Sequence, residues 1–235
     1  MLFVKAINPK KIVVIFAVLL GIANIYTIYN FGFFEERIVR VFSSSVFLIL
    51  LLVFKGYKSG VLVLAFLCFW LADICMLRYE NSLFNKLALT FPILAYSAIS
   101  KHIYLKIRPI KLNKYIKTFF GFIILLNVYM IYEIVEVIEL GLDNVFEKIM
   151  IYANGFSLII LGTLAGIYNL NYNSIHATYC IFFVFVFVLS AICNVLAYYL
   201  NLEILFYFNR CFYILGLTIM MLYLCLQKKE ELLLE

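Results

Sequence analysis

The chain has 235 residues, 66% of them hydrophobic and 14% charged, with a mean hydropathy of +1.06. That balance excludes a water-soluble domain, whose usual makeup is about half apolar and about a quarter charged. The formal charge of +6 reads, in a chain this apolar, as a topology signal rather than a nucleic-acid surface, and no nucleic-acid partner is expected.

Apolar runs long enough to cross a hydrocarbon layer of about 30 Å recur along the sequence. They cover residues 12–29, 38–54, 61–77, 83–104, 119–138, 146–167, 178–199 and 204–226. Continuous runs predict helices rather than barrel strands, which alternate apolar and polar residues over about ten positions. The expected fold class is all-α: one integral membrane domain over residues 1–235, a polytopic bundle of about eight transmembrane helices. The first run follows Lys5, Lys10 and Lys11 as a signal peptide would, but it is about 18 residues long with no A-x-A-like cleavage site behind it. A retained first helix is expected.

Short connections join the runs, among them residues 55–60 and 169–174. With the N-terminus inside, the inner segments hold Lys5, Lys10, Lys11, Lys55, Lys58, Lys101, Lys106, Arg108, Lys111, Lys114, Lys117, Lys228 and Lys229. The outer ones hold Arg37, Arg40, Arg78, Lys86 and Lys148, and Arg210 falls inside a run. Positive charge gathers on the cytoplasmic side, so both termini are expected there, in a plasma or inner membrane. Glu136, Glu139, Asp143 and Glu147 make the outer connection after the fifth run acidic.

The six cysteines all lie in predicted spans without C-x-x-C spacing and read as small core residues. His102 and His176 sit in different connections, so no metal site is expected. No dinucleotide, P-loop or nucleophile-elbow motif is present, and no cofactor is expected. A carboxylate inside a span is different, because a charge at mid-membrane costs roughly 2.5 to 3.5 kcal/mol on insertion scales. Asp73 is such a residue.

At 1.5 Å rise per residue, Asp73 lies about 6 Å from the outer end of its span, Asn194 and Glu133 about 8 Å, and Arg210 about 9 to 10 Å. If these side chains converge, they line a cavity in the outer half of the bundle. The alternative is one Asp73–Arg210 ion pair, with Glu133 reaching to the outer interface. A second regularity is that residues 69–75, FWLADIC, are echoed by 187–193, FVLSAIC, 118 positions later. Parallel repeats tend to place sites at their interface.

In helix number, length and the Asp-bearing third helix, the chain resembles the lysoplasmalogenase-like (YhhN-like) family of eight-helix membrane proteins. The family's third-helix pattern matches Ala72-Asp73-Ile74-Cys75-Met76-Leu77, and its seventh-helix F-x-x-S-D matches Phe187-Val188-Leu189-Ser190 before meeting Ala191. A family histidine late in the fourth helix falls near Tyr96, and a glutamine in the last helix falls near Gly216. The resemblance implies binding of a single-chain ether lipid and hydrolysis of the vinyl-ether bond of a lysoplasmalogen.

That reaction needs a proton delivered to the alkenyl carbon and a water to capture the oxocarbenium ion. A carboxylic acid in a low-dielectric cavity can hold the proton, which makes Asp73 the expected catalytic residue. Arg210, Asn194, Ser190, Glu133 and Tyr96 are the expected substrate-binding residues. Asn194 can position a water but not take its proton, so the missing aspartate at Ala191 leaves hydrolysis open. Arg210 could anchor a lipid phosphate or pair with Asp73, but not both in the simplest arrangement. A small-molecule or ion transporter or channel, and a membrane sensor or assembly subunit, are the competing classes. Pro92 is the only proline inside a predicted span, so the broken helices often used for transport are not evident.

Overall fold

The computed structural model of the protein describes residues 9–54, 59–107, 113–139, 145–200 and 202–234. Lys5, Lys55, Lys58, Arg108, Lys111 and Asp143, which carry part of the charge asymmetry, lie outside the described residues. The described chain is helical throughout: α1 Pro9–Asn30, α2 Phe33–Val53, α3 Gly60–Met76, α4 Ser82–Tyr104, α5 Lys114–Ile138, α6 Val145–Tyr172, α7 Ile175–Leu200 and α8 Glu203–Leu234. The all-α class is as expected. Six helices, α1 and α4 to α8, are long and apolar enough to cross a membrane; α3, at 17 residues, is an apolar helix of shorter length.

The second helix differs most from expectation. It starts at Phe33 and carries Glu35, Glu36, Arg37 and Arg40 in its first turns, where the apolar run began only at residue 38. Backbone hydrogen bonding does not stop at a charge. It continues wherever the charge finds a partner. Arg40, expected as an outer topology charge, is a side chain of the bundle, as is Glu147, which is buried in the first turn of α6 and accepts from Asn85 Nδ2 of α4 at 2.6 Å. Both lie within the apolar runs 38–54 and 146–167, near their outer ends, and the bundle holds them inside rather than at the outer surface.

Polar side chains pin the helices to one another. Asn24 Nδ2 of α1 donates to Ser43 Oγ of α2 at 2.8 Å, and Trp70 Nε1 of α3 donates to Ser45 Oγ at 2.8 Å. The helices α3 with α4 and α7 with α8 form the most intimate neighbours, and α6 packs on α4 and α7. Outward faces are apolar, as Ile15, Leu19 and Ile22 on α1 and Phe122, Leu125 and Tyr129 on α5 illustrate, the arrangement suited to lipid rather than water. Helix α4 runs on through Pro92. The six cysteines are free.

The 118-residue offset carries α2, α3 and α4 onto α6, α7 and α8 in order: 33–53 becomes 151–171, 60–76 becomes 178–194 and 82–104 becomes 200–222. The echoed segments meet in space, where Phe69 stacks on Phe187 with centroids 5.0 Å apart.

Between α3 and α4, Asn81 caps α4 by accepting from the Leu83 amide at 3.0 Å. Beside it Glu80 accepts from Arg37 Nη1 at 2.5 Å, and this hydrogen bond holds its carboxyl below the usual carboxylate range. A lowered native value means that the bond's stability is present above the usual range and lost as pH falls through the lowered value. The Glu80 side chain is 73% exposed, so Glu80→Gln is expected to change stability by no more than about 1 kcal/mol. Thermal melts of the two proteins should converge as the pH is lowered.

Candidate functional site

Asp73 follows Phe69 by one turn on the same face of α3 and is completely buried. Both of its oxygens are engaged. Oδ1 accepts from Arg40 Nε of α2, and Oδ2 accepts from the Tyr213 hydroxyl of α8 at 2.8 Å. The Arg40 guanidinium in turn lies over the Tyr213 ring, 5.4 Å from its centroid. Three helices close on one carboxylate, which satisfies both the charge and its hydrogen bonds.

Asp73 is therefore not the partner of Arg210. Arg210 Nε lies 2.5 Å from Glu36 Oε1, with the two side chains 1% and 3% exposed. Glu36 and Arg40 are one turn apart on α2, so one helix face gives an acid to Arg210 and a base to Asp73. Four interior charges sum to zero as two pairs.

Beside Asp73 opens a cavity of about 130 Å3. Asp73, Tyr96, Ser190 and Asn194, expected at the site, all border it, and Arg40, Asn154, Asn209 and Tyr213 complete its polar wall. Ser190 Oγ donates to Asn209 Oδ1 at 2.9 Å, and Asn209 Nδ2 donates to Asn194 Oδ1 at 2.9 Å. Arg210 is not on the wall, because its pair with Glu36 holds it elsewhere. Glu133 is also absent from the wall: it is exposed on α5 and bonded to Tyr129. A shared depth did not bring these two to the cavity, since depth says nothing about which way a helix face turns.

Ala191 of α7, the counterpart of Asp73 at the 118-residue offset, also borders the chamber. The ionisable residues of the lining are Asp73, Arg40, Tyr96 and Tyr213. At Gly216 an added Cβ would fall 2.8 Å from the Phe187 ring, so a glutamine has no room there unless that ring moves. Among the described residues no group of three or more His, Cys, Asp and Glu could hold a metal ion.

Two buried polar atoms of wall residues, Arg40 Nη1 and Asn154 Oδ1, have no hydrogen-bond partner among the described residues. Each such atom costs on the order of 1–3 kcal/mol. One is a donor and the other an acceptor.

The chamber adjoins an apolar groove, with the Ile131 side chain against Gly155 in the wall they share. Ile131, Ile134, Gly155, Leu158 and Ile192 border both the chamber and a cavity of about 800 Å3 between α5, α6 and α7. The groove exists because the buried residues of α5, Val135 and Ile138, are confined to its C-terminal end, while α6 turns Gly155, Gly162 and Gly166 to the gap. Gly155 and Gly166 are filled from α5: an added Cβ would lie 2.6 Å from Ile131 at the first and 3.0 Å from Phe120 at the second, whereas Gly162 meets nothing within 4 Å. Asn127 and Thr163 line the groove but bond the carbonyls of Ile123 and Ile159 on their own helices, each at 2.8 Å. The lining stays apolar in effect as far as Asn169.

No family model, no curated protein and no solved structure matches the chain.

Proposed function

We propose that this chain is a lysoplasmalogenase-like, multi-pass protein of a plasma or inner membrane that binds a single-chain ether lipid. The adjacency of a polar chamber and an apolar groove, which share five wall residues, carries the reading; a lipid that occupies both displaces the Ile131 side chain from Gly155. Roughly 300–1,000 Å3 is the usual size of a ligand pocket, and the groove's 800 Å3 suits an alkyl chain. The lipid's polar end would lie by Asp73, Asn154 and Asn194, with its phosphate drawn to the unpaired Nη1 of Arg40. Tyr96 and Ser190 shape the wall around the alkenyl group.

Vinyl-ether hydrolysis is the reaction this site would run. As both Asp73 oxygens are acceptors, the carboxyl group must first take up a proton. A phosphate that competes for Arg40 would release Oδ1 to do so. Asp73 then gives the proton to the distal alkenyl carbon, and the oxocarbenium ion captures a water held by the Asn194 and Asn154 amides. The water's spare proton returns to Asp73, and the hemiacetal collapses to an aldehyde and the glycerol hydroxyl. A second reading, binding without turnover, draws on Ala191, which cannot activate that water.

Purified protein in nanodiscs, given lysoplasmalogen, tests both. Aldehyde release above protein-free discs supports the hydrolase. Saturable binding without release supports the second reading, and absence of both removes the proposal. A reporter fused to the C-terminus is expected to read cytoplasmic, in line with the basic inner segments; a reading on the opposite face would overturn the orientation.

A further inference from the structure

We infer that Gly162 sets the length of alkyl chain the groove accepts, an inference that rests on the lipid-binding reading above. Gly155 stands where chamber and groove meet, and Asn169, whose buried Oδ1 has no partner among the described residues, stands at the other end of the lining. The fourteen steps from Gly155 to Asn169 along α6 span about 21 Å at 1.5 Å per residue. An extended alkyl chain advances about 1.25 Å per carbon, from 1.52 Å bonds at tetrahedral angles. The stretch therefore has the length of about 17 carbons, with the Asn127 amide, whose Nδ2 is bonded within α5, and the Phe120 ring facing it on the way.

Gly162 lies seven residues beyond Gly155, which is about 10 Å or about eight carbons into the groove. Of the three glycines that α6 presents to the gap, it is the one with open space at its Cβ; the other two already have the Ile131 and Phe120 side chains against them. A glycine that no protein atom fills leaves room for a ligand. Selection by length arises here from exclusion: groove and bilayer are both apolar, so transfer between them offers little hydrophobic gain, and a chain that meets an obstacle cannot seat its polar end.

Gly162→Phe would place a ring across the path, and Gly162→Leu a smaller block. The test equilibrates the parent and each variant with an equimolar set of saturated lysophosphatidylcholines of about 8 to about 18 carbons. Native mass spectrometry then reads the chain-length profile retained. The parent is expected to favour chains of about 16 to 18 carbons, and Gly162→Phe to shift at least about tenfold toward chains of about ten carbons or fewer, with Gly162→Leu between. Gly121→Phe, on α5 and outside the lining, should keep the parent's profile. An unchanged profile in a folded Gly162→Phe or Gly162→Leu protein overturns the length-setting role alone. A parent that retains none of these lipids overturns the lipid reading and this inference with it.

Discussion

Arg210→Met is expected to destabilise the protein by about 3–5 kcal/mol, the usual cost of stranding one member of a buried ion pair. Glu36 would be left 3% exposed without its cation, and Arg40, one turn away, is committed to Asp73. The double variant Glu36→Leu/Arg210→Met should recover most of the loss, because two apolar side chains of similar volume often replace a buried pair at no net cost. Unfolding midpoints in detergent measure both. Equal destabilisation by the single and double variants would mean that Arg210 contributes through packing alone. Neither change alters a wall residue of the chamber, so the double variant should retain lipid.

Asp73→Asn is expected to lower vinyl-ether turnover at least about a hundredfold, the lower end of what a positioned proton donor contributes. The amide keeps an acceptor for Tyr213 or Arg40 but cannot carry the proton. The variant strands Arg40, so some stability is lost as well, and retained lipid serves as the check on folding. Arg40→Gln separates the roles: it should weaken binding of a phosphate-bearing lipid by about tenfold or more, from the loss of a charge-assisted hydrogen bond worth about 1.5–3 kcal/mol. It should affect a single-chain alcohol much less. Turnover at the parent's rate in folded Asp73→Asn protein would remove the carboxylate from the chemistry.

Most of the helices were legible because an apolar stretch of about 17 residues or more declares itself by continuity, although the charged start of α2 and the charged end of α8 lie beyond such stretches. So was Asp73, since a carboxylate in such a run has no cheap solution. Its partner was not legible. Arg40 stands at the very start of the run 38–54, where a basic residue reads as an interface charge, and the only hint was the four-residue spacing of Glu36 and Arg40, which places an acid and a base on one helix face. Asn209 and Tyr213 carry the same spacing on α8, but neither is a charge in a span as Arg210 is, so neither stands out in the sequence. Depth along a helix can be counted from sequence, but facing direction depends on neighbours, which is why Asn194 reached the chamber and Glu133 did not. The groove had no sequence signal of its own: the α6 glycines become an opening only through the way α5 stands against them.

The most direct test of lipid seating is photocrosslinking with a single-chain phospholipid carrying a diazirine at mid-chain, followed by mapping of the adducts. Adducts concentrated on the facing walls of α5, α6 and α7, at residues such as Ile123, Ile159 and Val188, and competed away by unlabelled lysolipid, are the predicted result. Adducts spread over outward faces such as Leu19 and Ile22, unaffected by competitor, would contradict it.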